Sequence, residues 1–372
     1  MTRHSASIPT SNPAKSLRVA DIMEYLRSIA PPASESSPNE ALEVGDLLST
    51  VETIFLVPFP SLSVLSAAAS HPNPLVISAI PLLLGHVRNI RRDDPIGSRV
   101  CFCIENKINL YRYDQGFFTV RDGFDDSLAK SLGLRACEPL HPEATERLCK
   151  FVVFVPLEAT ERVMLAASEA GAGRIGNYTH CSFQTTGKGT FLPGKEARPS
   201  IGDVGSLEYV EEMKIEMVTQ EARVADVINA VKKVHPYEEV ACDIIPLSSA
   251  GEVQGRGRIG NLASKTALDS ILQIIRERHP RSVIRQSGES QASVFKISVA
   301  SGEGRGLYRE AIRQNADVHI TGLASISDWA LAEGAATVLV EMGVKASLHD
   351  GLLSLKERLE LKYPGVEIKV DV

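Results

Sequence analysis

The sequence predicts an α/β protein whose main fold is interrupted by a smaller α+β domain. Apolar segments alternate with helical segments in the first third of the chain, which is typical of helices layered on a largely parallel sheet. From residue 151 the order changes to strand, helix, strand, strand, helix, strand. The first pattern returns after residue 248, so we assign both outer parts to one fold. A length of 372 residues accommodates both domains.

The outer fold begins with an N-terminal lobe, assigned to residues 17–149. Apolar positions at helical spacing predict a first helix at 17–29, which two prolines end. Runs rich in β-branched residues predict buried strands, and Ala-rich or acid-capped runs predict helices. The further segments are TVETIFLVP (50–58, strand), 61–70 (helix), PLVISAIPLLL (74–84, strand), 99–111 (helix passing into strand) and SLAKSL (127–132, helix).

The insert is assigned to residues 150–248. The alternating segment 180–191 contains Gly187 and Gly189, which predicts a strand pair with a bulge or tight turn. The order of the six elements is that of the ferredoxin-like split βαβ unit. The elements are strand 151–156, helix 160–170, strand pair 180–191, strand 207–218, helix 222–234 and strand 240–246.

The C-terminal lobe, assigned to residues 249–372, repeats the alternation of strands and helices. SGEGRG at 301–306 lies between a predicted strand and a predicted helix. The string GRGRIGN at 255–261 echoes GAGRIGN at 171–177, and we interpret the two strings as similar turns. The other elements are helices at 267–279, 307–315, 326–333 and 352–362, and strands at 294–299, 317–321, 337–341 and 366–370.

Composition indicates a globular protein, with 44% hydrophobic and 23% charged residues. A net charge of −6 argues against general nucleic-acid binding, and no apolar run reaches the length of a membrane span. We therefore expect a cytoplasmic protein. The six cysteines form no CxxC pair, which favours free thiols over disulfides. Residues 1–16 are predicted to be a flexible tail. A mitochondrial leader is the alternative, because no acid precedes Asp21.

Several strings resemble one known family. The longest are GAGRIGNYTHCSFQT (171–185), IGDVGSLEYVEE (201–212), HPYEEVACDI (235–244), GFDDSLAKSLGL (123–134) and NADVHITG (315–322). Together they resemble the long form of the Nif-three-like family, the Ngg-one-interacting-factor-three relatives that are often labelled GTP cyclohydrolase I type 2-like. The resemblance covers residues 17–372 and is most specific in the insert.

The resemblance implies a two-lobed Nif-three-like α/β fold interrupted by the ferredoxin-like α+β insert, which is similar to the small PII-type and copper-tolerance trimers. It also implies a toroidal homohexamer. In the family, the cleft between the lobes holds two divalent metals, and hydrolase activity, including opening of the GTP ring, has been assigned or proposed. Paired metals held by histidines and carboxylates can activate a bridging water.

The positions that match the family's metal ligands hold other residue types. The paired histidines before proline fall on Ala79 and Ile80. In the His-Thr-Asn-x-Asp loop, the first position is Asp114 and the last is Phe118, so a carboxylate is replaced by a phenyl ring. Only Asp114 retains an oxygen ligand. We expect no metal at these positions.

The C-terminal motifs have changed in the same way. The Gly-His-x-x-Ser-Glu ligand pair falls on Val344 and Leu348. The Gly-Asp…Tyr-His run falls on Gly322, Leu323, Ile326 and Ser327. A relocated pocket formed by Asp114, Asp328, Glu341 and His349 is conceivable, but capping of helices explains carboxylates at such places equally simply, and we favour capping.

Two further groups are candidate binding sites. Gly302, Gly304, Arg305 and Gly306 precede a helix and form a candidate anion loop, with a plain tight turn as the favoured alternative. Polar residues of the insert form a candidate ligand or regulatory surface, with a structural role as the favoured alternative. They are Asn177, His180, Gln184, His235 and Glu238. His319, in an apolar strand, is predicted to be a core histidine.

Three functional hypotheses follow. The first is a diverged Nif-three-like protein that has lost the dimetal hydrolase site and acts as an oligomeric scaffold or as a ligand-binding or regulatory protein. The second is an enzyme with a rewired, metal-independent cleft, made apolar by Phe117 and Phe118, that acts on a small organic substrate. The third is a metal-dependent hydrolase of the GTP cyclohydrolase I type 2-like kind with relocated ligands.

Overall fold

The computed structural model describes residues 16–30, 41–83, 87–113, 116–176, 178–194, 203–280, 282–289 and 292–370. Almost all of the predicted N-terminal tail lies outside the described residues. The chain divides into two units: the first contains residues 1–143 and 255–372, and the second contains residues 144–254. The chain passes between the units within two long strands, Arg135–Pro156 and Cys242–Ala267.

Helices and strands alternate through both outer parts of the chain, as the pattern predicts. The helices are α1 Val19–Ile29, α2 Leu62–Ala68, α3 Pro95–Glu105, α4 Gly116–Thr119, α5 Phe124–Ser131, α6 Thr160–Glu169, α7 Val224–Val234, α8 Leu268–Arg278, α9 Leu307–Arg313, α10 Ile326–Ala332 and α11 Val344–Lys362. The strands are β1 Ala41–Val44, β2 Thr53–Val57, β3 Pro74–Ser78, β4 Asn109–Arg112, β5 Arg135–Pro156, β6 Phe183–Phe191, β7 Glu208–Gln220, β8 Cys242–Ala267, β9 Arg285–Gln286, β10 Ser293–Glu303, β11 Val318–Leu323, β12 Val338–Glu341 and β13 Glu367–Val370.

One sheet of the first unit has the order β1-β4-β3-β2-β13. All neighbours run parallel except β1 and β4, and Ile54 lies opposite Leu75 on one side and Ile368 on the other. The strands β2 and β3 are buried at every residue, because helices cover both faces of the sheet. The last strand of the chain therefore completes the sheet that the N-terminal lobe begins.

The other sheet of the first unit has the order β8-β10-β11-β12-β9. The central strands β10, β11 and β12 are parallel, and the flanking strands are antiparallel to them. Helices α5 and α8 and the start of α11 cover one face, and α9 and α10 cover the other. The string at 255–261 lies within β8 rather than in a turn, so the prediction of two similar turns is wrong.

The second unit contains the strands β6, β7 and β5 in that order, with β8 beside β5. Helices α6 and α7 pack on one face through Val163, Val227 and Val231. The predicted strand pair at 180–191 is wrong, because β6 is one uninterrupted strand paired with β7 over nine residues. Neither of its glycines has the positive φ of a tight turn.

Two expectations about the whole chain can be compared with the described residues. The six cysteines are free, and none is fully exposed. Within the described ranges, no helix combines the length and the apolar character that a membrane crossing requires.

Candidate functional site

Four of the positions on which the resemblance places the family's metal ligands lie together in the first unit. Ala79 directly follows β3, Phe118 lies in α4, and Leu348 lies in the first two turns of α11. All three are buried members of one hydrophobic cluster, and Val344 packs against the same cluster. Ile80, which follows Ala79, is half-buried. Asp114 lies outside the described residues.

Phe118 is the centre of this cluster. Its ring lies 4.8 Å from the ring of Phe124, and the guanidinium of Arg256 lies 4.7 Å from its centroid. A methyl group at Gly302 would come within 3.3 Å of Phe118 and 4.0 Å of Leu348. Aromatic and aliphatic side chains therefore fill the space at the ends of β3 and β10.

These residues do not fit a pair of divalent cations. Alanine, isoleucine, phenylalanine, valine and leucine offer no lone pair to a metal, and hard cations require several oxygen or nitrogen ligands. Within the described residues, no three His, Cys, Asp or Glu side chains are arranged to hold a metal ion. Phe117 is also buried in this core, where its ring makes an edge-to-face contact with Phe124. The open apolar pocket that the second hypothesis requires at Phe117 and Phe118 is therefore filled by side chains.

A buried ionic network borders the cluster and was not anticipated. Asp125 is fully buried and accepts hydrogen bonds from the backbone N–H of Gly257 at 2.6 Å and from that of Ser301 at 2.7 Å. The Ser301 hydroxyl also donates to it, and Arg256 Nε lies 3.5 Å from it. The carboxylate thus joins α5 to β8 and to the end of β10.

Arg258 forms the other half of the network. It is 3% exposed, pairs with Asp126, and donates to the carbonyl oxygens of Thr119 and Val120 at 2.9 and 3.0 Å. It also donates to the carbonyl oxygen of Gly255 at 2.7 Å. The only signal in the sequence was the adjacent acids of GFDDSLAKS and the alternating arginines of GRGRIG. Sequence alone could not show that they meet.

One surface pocket, called here the strand-end pocket, has a volume of about 480 Å³. It lies where β10 and β11 end and is lined by Glu303, Arg305, Gly306, Leu323, Ala324, Ser325, Ile326 and Ser327. Three of these residues, Leu323, Ile326 and Ser327, are the ones on which the resemblance places the family's Asp, Tyr and His. At these positions the pocket presents two alkyl side chains and a hydroxyl.

The predicted anion loop forms one side of this pocket, but several of its polar groups already contact other groups of the protein. Gly302 donates its N–H to Ser347 Oγ at 3.0 Å, and Gly304 donates to the carbonyl oxygen of Leu323 at 3.2 Å. Arg305 lies 3.0 Å from the carboxylate of Glu303. Gly306 has the left-handed φ of 77° that precedes α9. The geometry is that of the tight turn that the sequence also predicted.

Asp114, one member of the predicted pocket, lies outside the described residues, and the contacts of the other three members are separate from one another. Asp328 caps α10, accepting from the Ser325 hydroxyl at 2.6 Å, and Glu341 accepts from the nearby N–H of Ala324 at 3.0 Å. His349 instead lies against His279, with ring centroids 5.3 Å apart. Burial, together with His279, lowers the pKa of His349.

Asp350 follows His349 in α11 and is held by a different set of partners. Arg278 donates to its carboxylate at 2.9 Å. Burial raises the pKa of the Asp350 carboxyl, but the polar groups of His279, Ser131 and Arg278 around it outweigh burial and hold that pKa well below its usual range. The carboxylate therefore fastens α11 to the end of α8.

His319 lies in β11 and is fully buried, as predicted. Only one of its two ring nitrogens has a hydrogen-bond partner among the described residues. Nδ1 lies 2.9 Å from the hydroxyl of Ser298, whereas Nε2 has no hydrogen-bond partner among the described residues. Burial lowers the pKa of His319 to about 4, and the carboxylate of Asp328 opposes only part of that shift. The folded protein therefore holds this imidazole in its neutral form at pH 7.

His319 should make stability fall in acid. The unfolded chain binds a proton at a pKa near 6.5, so between about pH 6.5 and pH 4 protonation favours the unfolded state. We expect the free energy of unfolding to fall by up to about 3 kcal/mol across that window because of this residue. Urea unfolding at several pH values should show a smaller fall for His319→Asn. His141→Asn, which removes an exposed histidine, should retain the wild-type fall, and equal slopes in all three proteins would contradict this assignment.

Only some of the residues proposed as a binding surface on the insert are exposed to solvent. His180, Gln184 and Glu238 are exposed, Asn177 lies outside the described residues, and His235 is buried. His235 accepts at Nδ1 from the N–H of Tyr237 at 3.1 Å and therefore donates from Nε2 to the carbonyl oxygen of Phe154 at 3.0 Å. Burial lowers the pKa of His235. The structure places His235 in the framework of the unit.

The comparisons with known proteins agree with this fold. The sequence profile of Duf34/NIF3 (NGG1p interacting factor 3) matches residues 17–372. The chain is 33% identical over 310 residues to a Bacillus subtilis protein named "GTP cyclohydrolase 1 type 2 homolog", covering 83% of each chain. It is 34% identical over 290 residues to the protein of the same name from Halalkalibacterium halodurans, covering 78% of each.

Solved structures give the same result. A Bacillus cereus protein related to NIF3 superposes with a TM-score of 0.84 at 30% identity, covering 96% of this chain and 97% of the other. The Staphylococcus aureus protein SA1388 shares the fold, with a TM-score of 0.67 at 22% identity and coverage of 96% and 97%. On the strength of the profile match and these relatives, the chain belongs to the Duf34/NIF3 family.

Proposed function

We propose that this NIF3-family protein has lost the dimetal hydrolase centre that the resemblance implies and acts as an oligomeric scaffold or as a ligand-binding or regulatory protein. One observation carries the proposal: Ala79, Phe118 and Leu348 are buried in one hydrophobic cluster at positions that would have to bind metal. A cation placed among them would lose its hydration shell without gaining ligands.

The surroundings of the cluster support the same reading. Arg256 lies over Phe118, so a positive charge already occupies the border of the site. Ser347 lies next to Leu348 in sequence. Its hydroxyl accepts a hydrogen bond from the N–H of Gly302 and donates one to the carbonyl oxygen of Val344 at 2.8 Å. These contacts hold the ends of β10 and α11 together without a metal bridge.

Elemental analysis tests the proposal. Protein purified without chelator and then incubated with excess zinc, manganese or magnesium should retain less than about one tenth of a metal per chain after desalting. EDTA should leave its melting temperature unchanged, because no folding energy comes from bound metal. The matched control is the Bacillus subtilis relative, treated identically, to show whether the protocol preserves a metal site. Two metals per chain in this protein would overturn the proposal and would support the third hypothesis, a metal-dependent hydrolase with relocated ligands.

A small organic ligand is the second candidate function, and the strand-end pocket favours it. Its 480 Å³ volume is in the range of small-molecule sites, and alkyl groups of Leu323 and Ile326 stand beside the hydroxyls of Ser325 and Ser327. This pocket replaces the cleft at Phe117 and Phe118 as the location for a metal-independent reaction or a ligand. A thermal-shift screen of neutral organic molecules, repeated with Ile326→Glu, separates the candidates: stabilisation lost in the variant supports a ligand site.

The remaining parts of the proposal concern assembly and the insert. We assign a ferredoxin-like fold to the insert at residues 150–248, because its strand order β6-β7-β5-β8 with two helices on one face is that of the split βαβ unit. We also propose a cytoplasmic homohexamer, which rests on the family resemblance. Light scattering on the sample used for elemental analysis gives the mass of the assembly.

A further inference from the structure

The two serine hydroxyls that line the strand-end pocket form a hydrogen-bonded chain with a fixed direction. Ser325 Oγ donates to the carboxylate of Asp328 at 2.6 Å and accepts from the N–H of Asp328 at 3.1 Å. Ser325 has one hydroxyl proton and that proton is used, so Ser327 is the donor in the 2.8 Å contact between the two hydroxyls. A ligand therefore meets Ser327 Oγ as a hydrogen-bond acceptor only.

The chain also makes Ser327 a strong acceptor. It ends on Asp328, which is 6% exposed, and consecutive hydrogen bonds that end on a buried charge polarise one another. Glu303 supplies a second acceptor in the same pocket. One of its carboxylate oxygens lies 3.0 Å from Arg305 Nε, and the other has no partner among the described residues. The pocket thus presents two acceptors whose lone pairs are available to a ligand.

Several backbone donors at the corner between β11 and α10 are already used. Ala324 donates its N–H to Glu341 at 3.0 Å, and Ser325 donates its N–H to Asp328 at 3.0 Å. The N–H of Asp328 in turn donates to Ser325. Carboxylates therefore already occupy the places where an anionic ligand would bind the first two of these groups. Arg305 is the one cationic side chain in the lining.

The charges around the pocket favour a cation. Three carboxylates and two guanidinium groups lie in the lining or next to it: Glu303, Asp328, Glu341, Arg305 and Arg285. Asp328 has no cationic partner in the described part of the chain, since its contacts are with the N–H and hydroxyl groups of Ser325. Arg305 is 78% exposed, so its pair with Glu303 contributes little stability and a ligand cation can share that carboxylate. The excess negative charge attracts a cation to the pocket.

We propose that the strand-end pocket binds a primary ammonium ion on a short aliphatic chain. The ammonium donates to Ser327 Oγ and to the carboxylate of Glu303, and the aliphatic chain lies against Leu323 and Ile326. An ammonium group has three donors and no acceptor, which matches this set of groups. The inference rests on the second candidate function, a small organic ligand at this pocket, and extends that class of ligand from neutral molecules to cations.

Three small molecules of equal chain length separate the possible ligand chemistries. At neutral pH n-butylamine is a cation, butyrate is an anion, and 1-butanol is uncharged. Each is titrated against the whole protein by saturation-transfer NMR. We expect butylammonium to bind at least about tenfold more tightly than butyrate or 1-butanol, because only the ammonium satisfies both acceptors and the excess charge.

Ser327→Ala tests the acceptor itself. The variant should weaken the binding of butylammonium about tenfold, because a hydrogen bond to a charged group is lost. Ser63→Ala is the matched control: Ser63 makes the same 2.8 Å hydroxyl contact with Ser61 at the start of α2, and its loss should leave the affinity unchanged. Glu303→Gln retains the size of the side chain, removes its charge, and should weaken binding at least about threefold.

The outcomes distinguish this inference from the function on which it rests. Butyrate or 1-butanol binding as tightly as butylammonium, with a loss in Ser327→Ala, would overturn the ammonium assignment and leave the pocket as a ligand site. Butylammonium binding that is unchanged in Ser327→Ala and in Glu303→Gln would place the cation elsewhere and overturn the inference. Saturable binding of none of the three molecules would overturn both the inference and the second candidate function.

Discussion

Replacing Arg258 by methionine will lower the free energy of unfolding of the first unit by about 3–5 kcal/mol. The guanidinium is 3% exposed and satisfies Asp126 together with carbonyl oxygens from α4 and β8. Methionine retains much of the apolar stem but leaves these acceptors buried without a donor. The loss comes from the unpaired groups left behind, since a complete buried ion pair contributes little net stability.

Urea unfolding followed by the fluorescence of Trp329 measures this loss, because Trp329 is the chain's only tryptophan and lies in the same unit. Arg305→Met is the matched control. Its ion pair with Glu303 is largely exposed, so we expect a change below about 0.5 kcal/mol. A loss of similar size in the two variants would show that the buried contacts of Arg258 add nothing to stability.

The double variant Arg258→Met with Asp126→Leu separates the pair from its surroundings. If the cost arises from an unpaired carboxylate, removing Asp126 as well should restore part of the lost stability. The carbonyl oxygens of Thr119 and Val120 would remain unsatisfied, so recovery should be incomplete.

Local pattern was sufficient for most of the fold. Helical spacing and apolar runs predicted α1, β2 and β3, and the element order of the insert follows from residues close in sequence. The error at 180–191 has a specific cause. Glycines in an alternating segment indicate a turn only when the backbone adopts positive φ, and β7 instead holds this segment extended.

Contacts between distant residues could not be predicted in the same way. Residues 366–370 were predicted to be a strand, but nothing local shows that β13 pairs with β2, more than 300 residues earlier. Asp126 and Arg258 are 132 residues apart, and each string alone is consistent with a helix cap or a turn. These charges come into contact, and are buried, only when the whole fold has formed. A local sequence pattern therefore cannot reveal the network.

The candidate site illustrates both cases. Resemblance to a family located Ala79, Phe118 and Leu348 as one site, and the structure brings them into one cluster. The strand-end pocket was not anticipated, because it forms where two parallel strands end and two helices begin. Such crevices outside the carboxyl ends of strands are where α/β proteins commonly bind ligands.

Replacing Phe118 by alanine should lower the free energy of unfolding of the first unit by about 3–5 kcal/mol. The side chain is 8% exposed and packs against Phe124 and beneath Arg256. Truncation leaves a cavity that Gly302, which has no side chain, cannot fill. Urea unfolding followed by Trp329 fluorescence measures the loss, and Phe118→Leu, which retains most of the volume, should cost less than about 1.5 kcal/mol.

The acidic variant at the same position connects this packing to function. Phe118→Asp introduces the residue type that the resemblance implies at this position. Ala79, Ile80 and Leu348 still provide no ligands, so the variant should lose stability without gaining metal. Melting temperatures with and without zinc measure both effects. Stabilisation by zinc in Phe118→Asp would show that one substitution reopens the site, and a loss below about 1 kcal/mol in Phe118→Ala would show that the space was never tightly filled. Either result would contradict the proposal that side-chain packing around Phe118 stands in place of a metal centre, whereas a large loss of stability with no effect of zinc would support it.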